Sequence, residues 1–213
     1  MSAPKIPTRL LAGIAGTYDR RLRQCGLSAK GAFWRNEEMQ LRRYQILCQI
    51  FDEADQAGGL TIHDFGCGYG ALFHYLEDLP VMQHSQYIGT DMSKEMIDAA
   101  QGSITDPRAR FVRHVKSVEI ADYTFVCGTF NMHLDSDPFE WAAYVKDSLV
   151  QLWSKTRKGL AFNMLHPDSA EIFDTLFYAD PQEFFTFCST RLSSDVSYRT
   201  DEPLPDWTMF VRR

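Results

Sequence analysis

The sequence predicts an α/β protein: a mostly parallel sheet of seven strands with an antiparallel edge, preceded by a helical segment. Three observations carry that expectation. From residue 60 to about residue 165, short apolar runs alternate with amphipathic stretches, the pattern of parallel strands joined by helical crossovers. The last two apolar runs have no helix between them and must pair antiparallel. The first strand runs directly into a turn holding Gly66, Gly68 and Gly70, and a helix opens behind it.

The elements follow in chain order. Asn36 is placed to cap a helix whose first turn carries Glu37 and Glu38 at the positive end of the dipole. Tyr44, Leu47, Cys48, Phe51 and Ala54 recur at three- and four-residue spacing, so this helix is expected to reach about Ala57, where Gly58-Gly59 stops it. Strands are expected at Leu60–Phe65, Gln86–Asp91, Arg110–Arg113, Tyr123–Cys127 and Leu160–Leu165. A helix from Ala71 to Leu79 should stop at Pro80, and Ser93 should cap the next. Asp137-Pro138-Phe139-Glu140 and Asp180-Pro181-Gln182-Glu183 each combine a capping acid, a proline at the first helical position and a glutamate at the third. Leu192–Tyr198 and Trp207–Arg212 make the terminal pair. Residues 1–57 read as a helical lid and residues 58–213 as the domain it covers.

Composition narrows the function. Net charge is −6 with no Lys/Arg-rich block, which argues against a nucleic-acid partner, because neutralising phosphates supplies most of that affinity. No apolar run approaches the ~20 residues needed to cross a bilayer. Met1-Ser2-Ala3-Pro4-Lys5 does not resemble a signal peptide, so a soluble cytoplasmic protein with no membrane partner is expected. Cys25, Cys48, Cys67, Cys127 and Cys188 are odd in number and form no C-x-x-C pair, which predicts reduced thiols and no metal site.

The informative stretch is His63-Asp64-Phe65-Gly66-Cys67-Gly68-Tyr69-Gly70. Glycines at a strand-to-helix turn let a ligand approach the backbone closely. In an open parallel sheet, that turn is the ligand crevice. One strand later, Asp91 stands where a carboxylate accepts hydrogen bonds from a ribose diol, which implies a nucleoside cofactor. Gly66, Gly68 and Ala71 also satisfy the loose dinucleotide fingerprint. Asp64, however, would repel a pyrophosphate and attract the methionyl amine of S-adenosylmethionine. The long segment ahead of the first strand also suits a lid better than a dinucleotide domain.

With these residues in view, the whole chain resembles class I S-adenosylmethionine-dependent methyltransferases of Rossmann-like fold. The segment Gly31-Ala32-Phe33-Trp34-Arg35-Asn36-Glu37-Glu38 with Arg42 is similar to a bacterial subgroup of small methyltransferases, as is Gly128-Thr129-Phe130-Asn131. The resemblance implies that Gly66, Cys67 and Gly68 bring backbone to the cofactor, that Asp91 holds its ribose and that Met92 packs on adenine. It also places Gly128 near the methionine moiety. His114 stands where the family often has an acid near the adenine amine.

Other candidates come from residue type and position. Arg42 suits a bidentate contact to the cofactor carboxylate, and Trp34 either closes over the site or anchors the lid. His133 and His166 follow the fourth and fifth strands and are general-base candidates that would also touch the acceptor. Asn131 is a substrate contact candidate. Tyr178 belongs to a set of aromatics, with Tyr69, Phe73, Phe177 and Phe184, that suggests an apolar acceptor pocket.

The reaction expected is transfer of the sulfonium methyl to an N, O, C or S nucleophile of a small molecule, leaving S-adenosylhomocysteine. Alignment and exclusion of water are its main requirements, and a base is optional. The rivals are a macromolecular acceptor, disfavoured because Asn131-Met132-His133-Leu134 lacks the prolines of base-amino methyltransferases, and a non-catalytic cofactor sensor.

Overall fold

The computed structural model describes residues 8–213; the expectations for Met1 to Lys5, and for residues 1–7 of the lid, lie outside the described residues. The element order is α1 (Thr8–Cys25), α2 (Glu37–Leu47), β1 (Thr61–Phe65), α3 (Ala71–Leu76), β2 (Gln86–Asp91), α4 (Lys94–Ser103) and β3 (Ala109–Arg113). It continues with β4 (Ala121–Cys127), α5 (Pro138–Trp153), β5 (Thr156–Leu165), α6 (Pro181–Arg191), β6 (Asp195–Thr200) and β7 (Asp206–Arg212).

All seven strands form one sheet in the order β3-β2-β1-β4-β5-β7-β6. The first five are parallel, and β7 inserts antiparallel between β5 and the outermost strand β6. The order reverses between β1 and β4, so the ends of these neighbours splay into the crevice that ligands use in such sheets. Consecutive strand residues face opposite ways. Phe125, Ala161 and Phe210 accordingly enter a core with α2, α3 and α4, while Val126, Phe162 and Met209 enter a second core with α5 and α6. A layer of helices covers each face.

The marked helix starts fold as written. Asn36 accepts the Met39 N–H at 2.8 Å, Ser93 that of Met96 at 3.0 Å, Asp137 those of Phe139 and Glu140, and Asp180 that of Gln182. Two expectations are corrected. The helix foreseen from Asn36 to Ala57 ends at Leu47 and gives way to separate 3-10 turns at Cys48–Ile50 and Glu53–Ala57. Tertiary bonds break it: Asp55 turns inward to accept the Asp52 N–H, the Tyr123 hydroxyl and the Lys158 ammonium, so Asp52 starts a new turn. Similarly, α3 ends at Leu76 rather than Leu79.

Helix α1 was not anticipated as a distinct element. It docks on the start of α4, where Asp19 accepts from the Ser93 hydroxyl and Arg23 pairs with Glu95. That docking lays Leu11, Ala15 and Tyr18 across the mouth of the crevice.

Candidate active site

The crevice is a cavity of about 960 Å³, near the top of the ~300–1,000 Å³ range of small-molecule sites. That leaves room for a cofactor and a second small molecule. Its floor is the glycine turn. Gly66 and Cys67 donate their N–H groups to the Thr90 carbonyl at 2.7 and 3.0 Å, which folds the turn back on β2. Gly66 has φ +79, and a Cβ there would lie 2.3 Å from the Thr129 hydroxyl, which itself donates to the Phe65 carbonyl. Both the left-handed backbone and the neighbour demand glycine at this position.

Asp91 closes the turn from the far side. One carboxylate oxygen accepts the Gly68 N–H at 2.9 Å and the other the Ser93 N–H at 2.8 Å. Each oxygen keeps a second lone pair, enough for two hydroxyls. Burial pushes this carboxyl above the ordinary carboxylate value, and the Ser93 and Gly68 N–H groups offset part of that rise. Met92 lines the adjoining wall beside Asp91.

Asp64 lies beneath the cavity, 2% exposed, and accepts the Tyr87 hydroxyl at 2.5 Å. Burial, opposed by that hydrogen bond and reinforced by Asp91, raises its carboxyl from the ordinary 3.8 to about 7. Cys67 also lines the cavity, but burial lifts its thiol well above 9, so it adds backbone and bulk rather than a nucleophile.

The lid supplies the roof. The Trp34 ring lies over Gly128 at the end of β4, 2.4 Å from where a Cβ would stand, and the Arg43 guanidinium stacks 4.5 Å from the ring centroid. The contact anchors the lid segment to the end of β4. Arg43 pairs with Asp206 through two bonds of 2.9 and 2.6 Å and donates to the Met39 carbonyl. Asn163 donates to the same Asp206 and accepts the Gly128 N–H at 2.8 Å. A chain of contacts thus runs from the half-buried Trp34 of the lid into the buried sheet: Trp34, Arg43, Asp206, Asn163, Gly128.

Several sequence candidates land elsewhere. Arg42 is drawn outward to Asp201 at 2.6 Å and does not line the cavity; its neighbour Arg43 does. The signal was present, because Arg43 falls with Gln40, Tyr44 and Leu47 on the buried stripe of α2, and Arg42 falls off it. His133 does not line the cavity either. Its Nδ1 donates to the Ser136 carbonyl at 2.8 Å and its ring packs edge-on to Phe177, so it braces the loop after β4. His166 does line the cavity, but its Nδ1 accepts the Asp168 N–H at 3.1 Å. The neutral ring then carries its proton on Nε2 and offers a donor instead of a base.

Of the aromatics expected to form an acceptor pocket, Tyr69 and Tyr178 line the cavity, whereas Phe73, Phe177 and Phe184 are buried in the cores on either side of the sheet. His114 lines the cavity with Nδ1 accepting from the Lys116 N–H. Tyr178 uses its hydroxyl to accept from Phe173 N–H and donate to the Glu171 carbonyl, holding the wall's outer loop. Asn131 is buried in the same wall. Thr90, Thr129 and Tyr18 were not foreseen as lining residues.

Comparison with known proteins agrees with this geometry. A family model described as a methyltransferase domain matches residues 62–154. A Mycobacterium tuberculosis protein, provisionally named methyltransferase Rv1506c, is 36% identical over 160 residues, covering 74% of this chain and 95% of its own length. The chain belongs to the S-adenosylmethionine-dependent methyltransferase family. Among solved structures, the magnesium protoporphyrin IX methyltransferase of Synechocystis PCC 6803 with bound S-adenosylhomocysteine aligns over 97% of this chain and 99% of its own, with TM-score 0.69 and 12% identity. Human N-acetylserotonin methyltransferase aligns over 96% of this chain and 66% of its own, with TM-score 0.54 and 14% identity. At these identities the likeness is one of fold.

Proposed function

We propose that this methyltransferase acts on a small-molecule acceptor held in the outer part of the 960 Å³ cavity, beneath a lid formed by residues 8–57. The single observation carrying this reading is the volume of the crevice, which helix α1, Trp34 and the 200–206 turn border and which leaves space for a metabolite beside the cofactor. The excess of acidic side chains disfavours a polyanionic acceptor. Among the described residues no helix is long and apolar enough to cross a membrane.

The residues fit the cofactor. Gly66 and Gly128 keep the backbone bare where a ligand must approach, and Asp91 retains two free lone pairs for ribose hydroxyls. Asp64 would supply negative charge to the methionyl ammonium, and Met92 and His114 would hold the adenine. Arg43 takes the carboxylate-facing role first expected of Arg42, since it alone of the two lines the cavity.

S-adenosylmethionine supplies an electrophilic methyl carbon whose bond to sulfur breaks, with both electrons passing to sulfur, as the acceptor's lone pair attacks. The chain then has to align the acceptor and keep water out. Tyr18, Trp34, Phe130 and Trp141 would exclude water, and the Nε2–H of His166 would hold an acceptor heteroatom. No step assigns a protein base. Incubation with methyl-labelled S-adenosylmethionine and separate metabolite, tRNA and DNA fractions should place label only in the metabolites. Label in either nucleic acid would contradict the small-molecule reading.

The raised Asp64 carboxyl has a pH consequence. The folded carboxyl holds its proton more tightly than the unfolded chain does, so stability of the free protein should fall as pH rises from about 4 through about 7. A bound ammonium favours the ionised form, so cofactor binding should release a fraction of a proton near pH 6.5. Affinity should therefore rise between pH 6 and 7.5. Calorimetry in buffers of different ionisation enthalpy reads the proton directly. Asp64→Asn should abolish both the release and the pH dependence.

A further inference from the structure

The sheet has two edges, and they are guarded differently. Strand β3 starts just after Pro107 and carries the cations of Arg110 and Arg113. Strand β6, at the other edge, pairs with β7 and has no strand on its outer side among the described residues. Its register with β7 runs unbroken from Asp195 to Thr200, with no bulge, and it holds neither proline nor lysine. All of its residues except the half-buried Val196 are exposed. Such an edge offers a row of backbone N–H and C=O groups to another strand, and natural proteins usually blunt it with lysine, proline or a bulge.

The side chains of β6 match a second copy of themselves. Val196 and Tyr198 lie on the α6 side, where Val196 packs against the second core and the Tyr198 ring meets Phe185 at 6.0 Å. Asp195, Ser197 and Arg199 lie on the other side, where Arg199 donates to Gln49 at 2.9 Å. The exposed Asp195 carboxylate has no ion-pair partner among the described residues, because Arg212 opposite it on β7 turns to the Phe210 ring and the Gln49 carbonyl. Arg199 shares the Asp201 carboxylate with Arg42, so two cations meet one acid at that end. Run antiparallel against itself about Ser197, the strand sets Asp195 opposite Arg199 and Val196 opposite Tyr198, each twice. Opposite charges, and an aromatic against a β-branched residue, are both favourable cross-strand pairs. Moving the axis to Val196 or Tyr198 loses the charge pairs.

We propose that β6 pairs with β6 of a second copy of this chain, antiparallel about a two-fold axis through Ser197, so that two seven-stranded sheets join into one. The axis makes every contact occur twice, as a closed homodimer requires. Each Asp195 meets the partner's Arg199, each Val196 meets the partner's Tyr198, and backbone hydrogen bonds close both open edges. None of these residues lines the cavity, so pairing leaves the site accessible. Thr200 to Asp206, which follow β6 directly, do line it, and pairing steadies the strand from which that turn departs. A strand pair with its flanking side chains is a small interface, so association of micromolar strength is expected.

Sedimentation equilibrium of the full chain, from about 1 to 300 µM at low salt, tests the interface. The wild type should dimerise reversibly. Asp195→Arg and Arg199→Asp should each weaken association at least about ten-fold, since like charges then face each other twice. An equimolar mixture of the two variants should recover wild-type affinity, because every arginine then faces an aspartate across the axis. Cysteine variants read the register independently, and decide the outcome if Arg199→Asp does not fold. Ser197→Cys stands opposite itself, so mild oxidation should give a covalent dimer. Asp195→Cys, whose two copies stand at opposite ends of the paired strands, should give no more cross-link than the wild type. Both positions are exposed, so folding should hold. A wild type that stays monomeric throughout, charge variants that associate as well as it does, or a mixture no tighter than its components would each overturn the proposal. So would an Asp195→Cys variant that cross-links as readily as Ser197→Cys.

Discussion

Replacing Asp91 with alanine is expected to weaken S-adenosylhomocysteine binding by about 1.5–3 kcal/mol, the scale of lost charge-assisted hydrogen bonds. The carboxylate does two jobs at once. Its free lone pairs face the cavity, while its other two accept the Gly68 and Ser93 N–H groups and so fix the glycine turn against the start of α4. Removal therefore costs the ribose contacts and also loosens the turn, and some loss of melting temperature should accompany the loss of affinity. Asp91→Asn distinguishes the parts. The amide keeps one acceptor oxygen, so it should retain one backbone bond and most of the stability, yet bind cofactor nearly as poorly as Asp91→Ala. Calorimetric titration and thermal melts on both variants check this. Unchanged affinity in Asp91→Ala would remove the ribose role.

Asp206→Ala is expected to cost more in stability than any other single change at the site, about 3–5 kcal/mol, because it strands a buried guanidinium. Arg43 is 4% exposed, and without Asp206 its only remaining acceptor among the described residues is the Met39 carbonyl. Asn163 loses its partner in the same step, which frees the side chain that holds the Gly128 N–H. Chemical denaturation measures the loss. Replacing the pair together, as Arg43→Met with Asp206→Leu, should recover much of the stability, since well-packed apolar residues often substitute for a buried ion pair without loss. It should not recover cofactor affinity, because the cation above Trp34 and the brace behind Gly128 would both be gone. Recovery of affinity as well as stability would mean that the network serves folding alone.

Much of this was legible in the sequence, and the parts that were not share a cause. Strand β2 and the four capped helix starts were readable because their signals are local: Asn36, Ser93, Asp137 and Asp180 each act on an N–H two or three residues away. The glycine turn and Asp91 were readable because an open parallel sheet brings the ends of β1 and β2 together. What escaped depends on partners far along the chain. The helix after Asn36 looked continuous because Tyr123 and Lys158, which turn Asp55 inward, are distant in sequence. Helix α1 escaped because its docking rests on Ser93 and Glu95.

The same limit explains the site residues. Arg42 and Arg43 are neighbours of one type, and only Asp206 and Asp201, more than 150 positions away, decide which of them turns inward. Helical phase favoured Arg43 even so. His133 and His166 are candidates by residue type alone, and the bonds that orient their rings, to the Ser136 carbonyl and from the Asp168 N–H, have no pattern that residue spacing reveals.

One titration tests the central claim most directly: S-adenosylhomocysteine and NAD, each added to the free protein and followed by calorimetry and by melting temperature. S-adenosylhomocysteine should bind with micromolar affinity or better and raise the melting temperature by mass action, while NAD should produce no heat. Binding of NAD with a silent S-adenosylhomocysteine titration would contradict the reading of the Asp64–Gly70 turn on which everything else at this site depends.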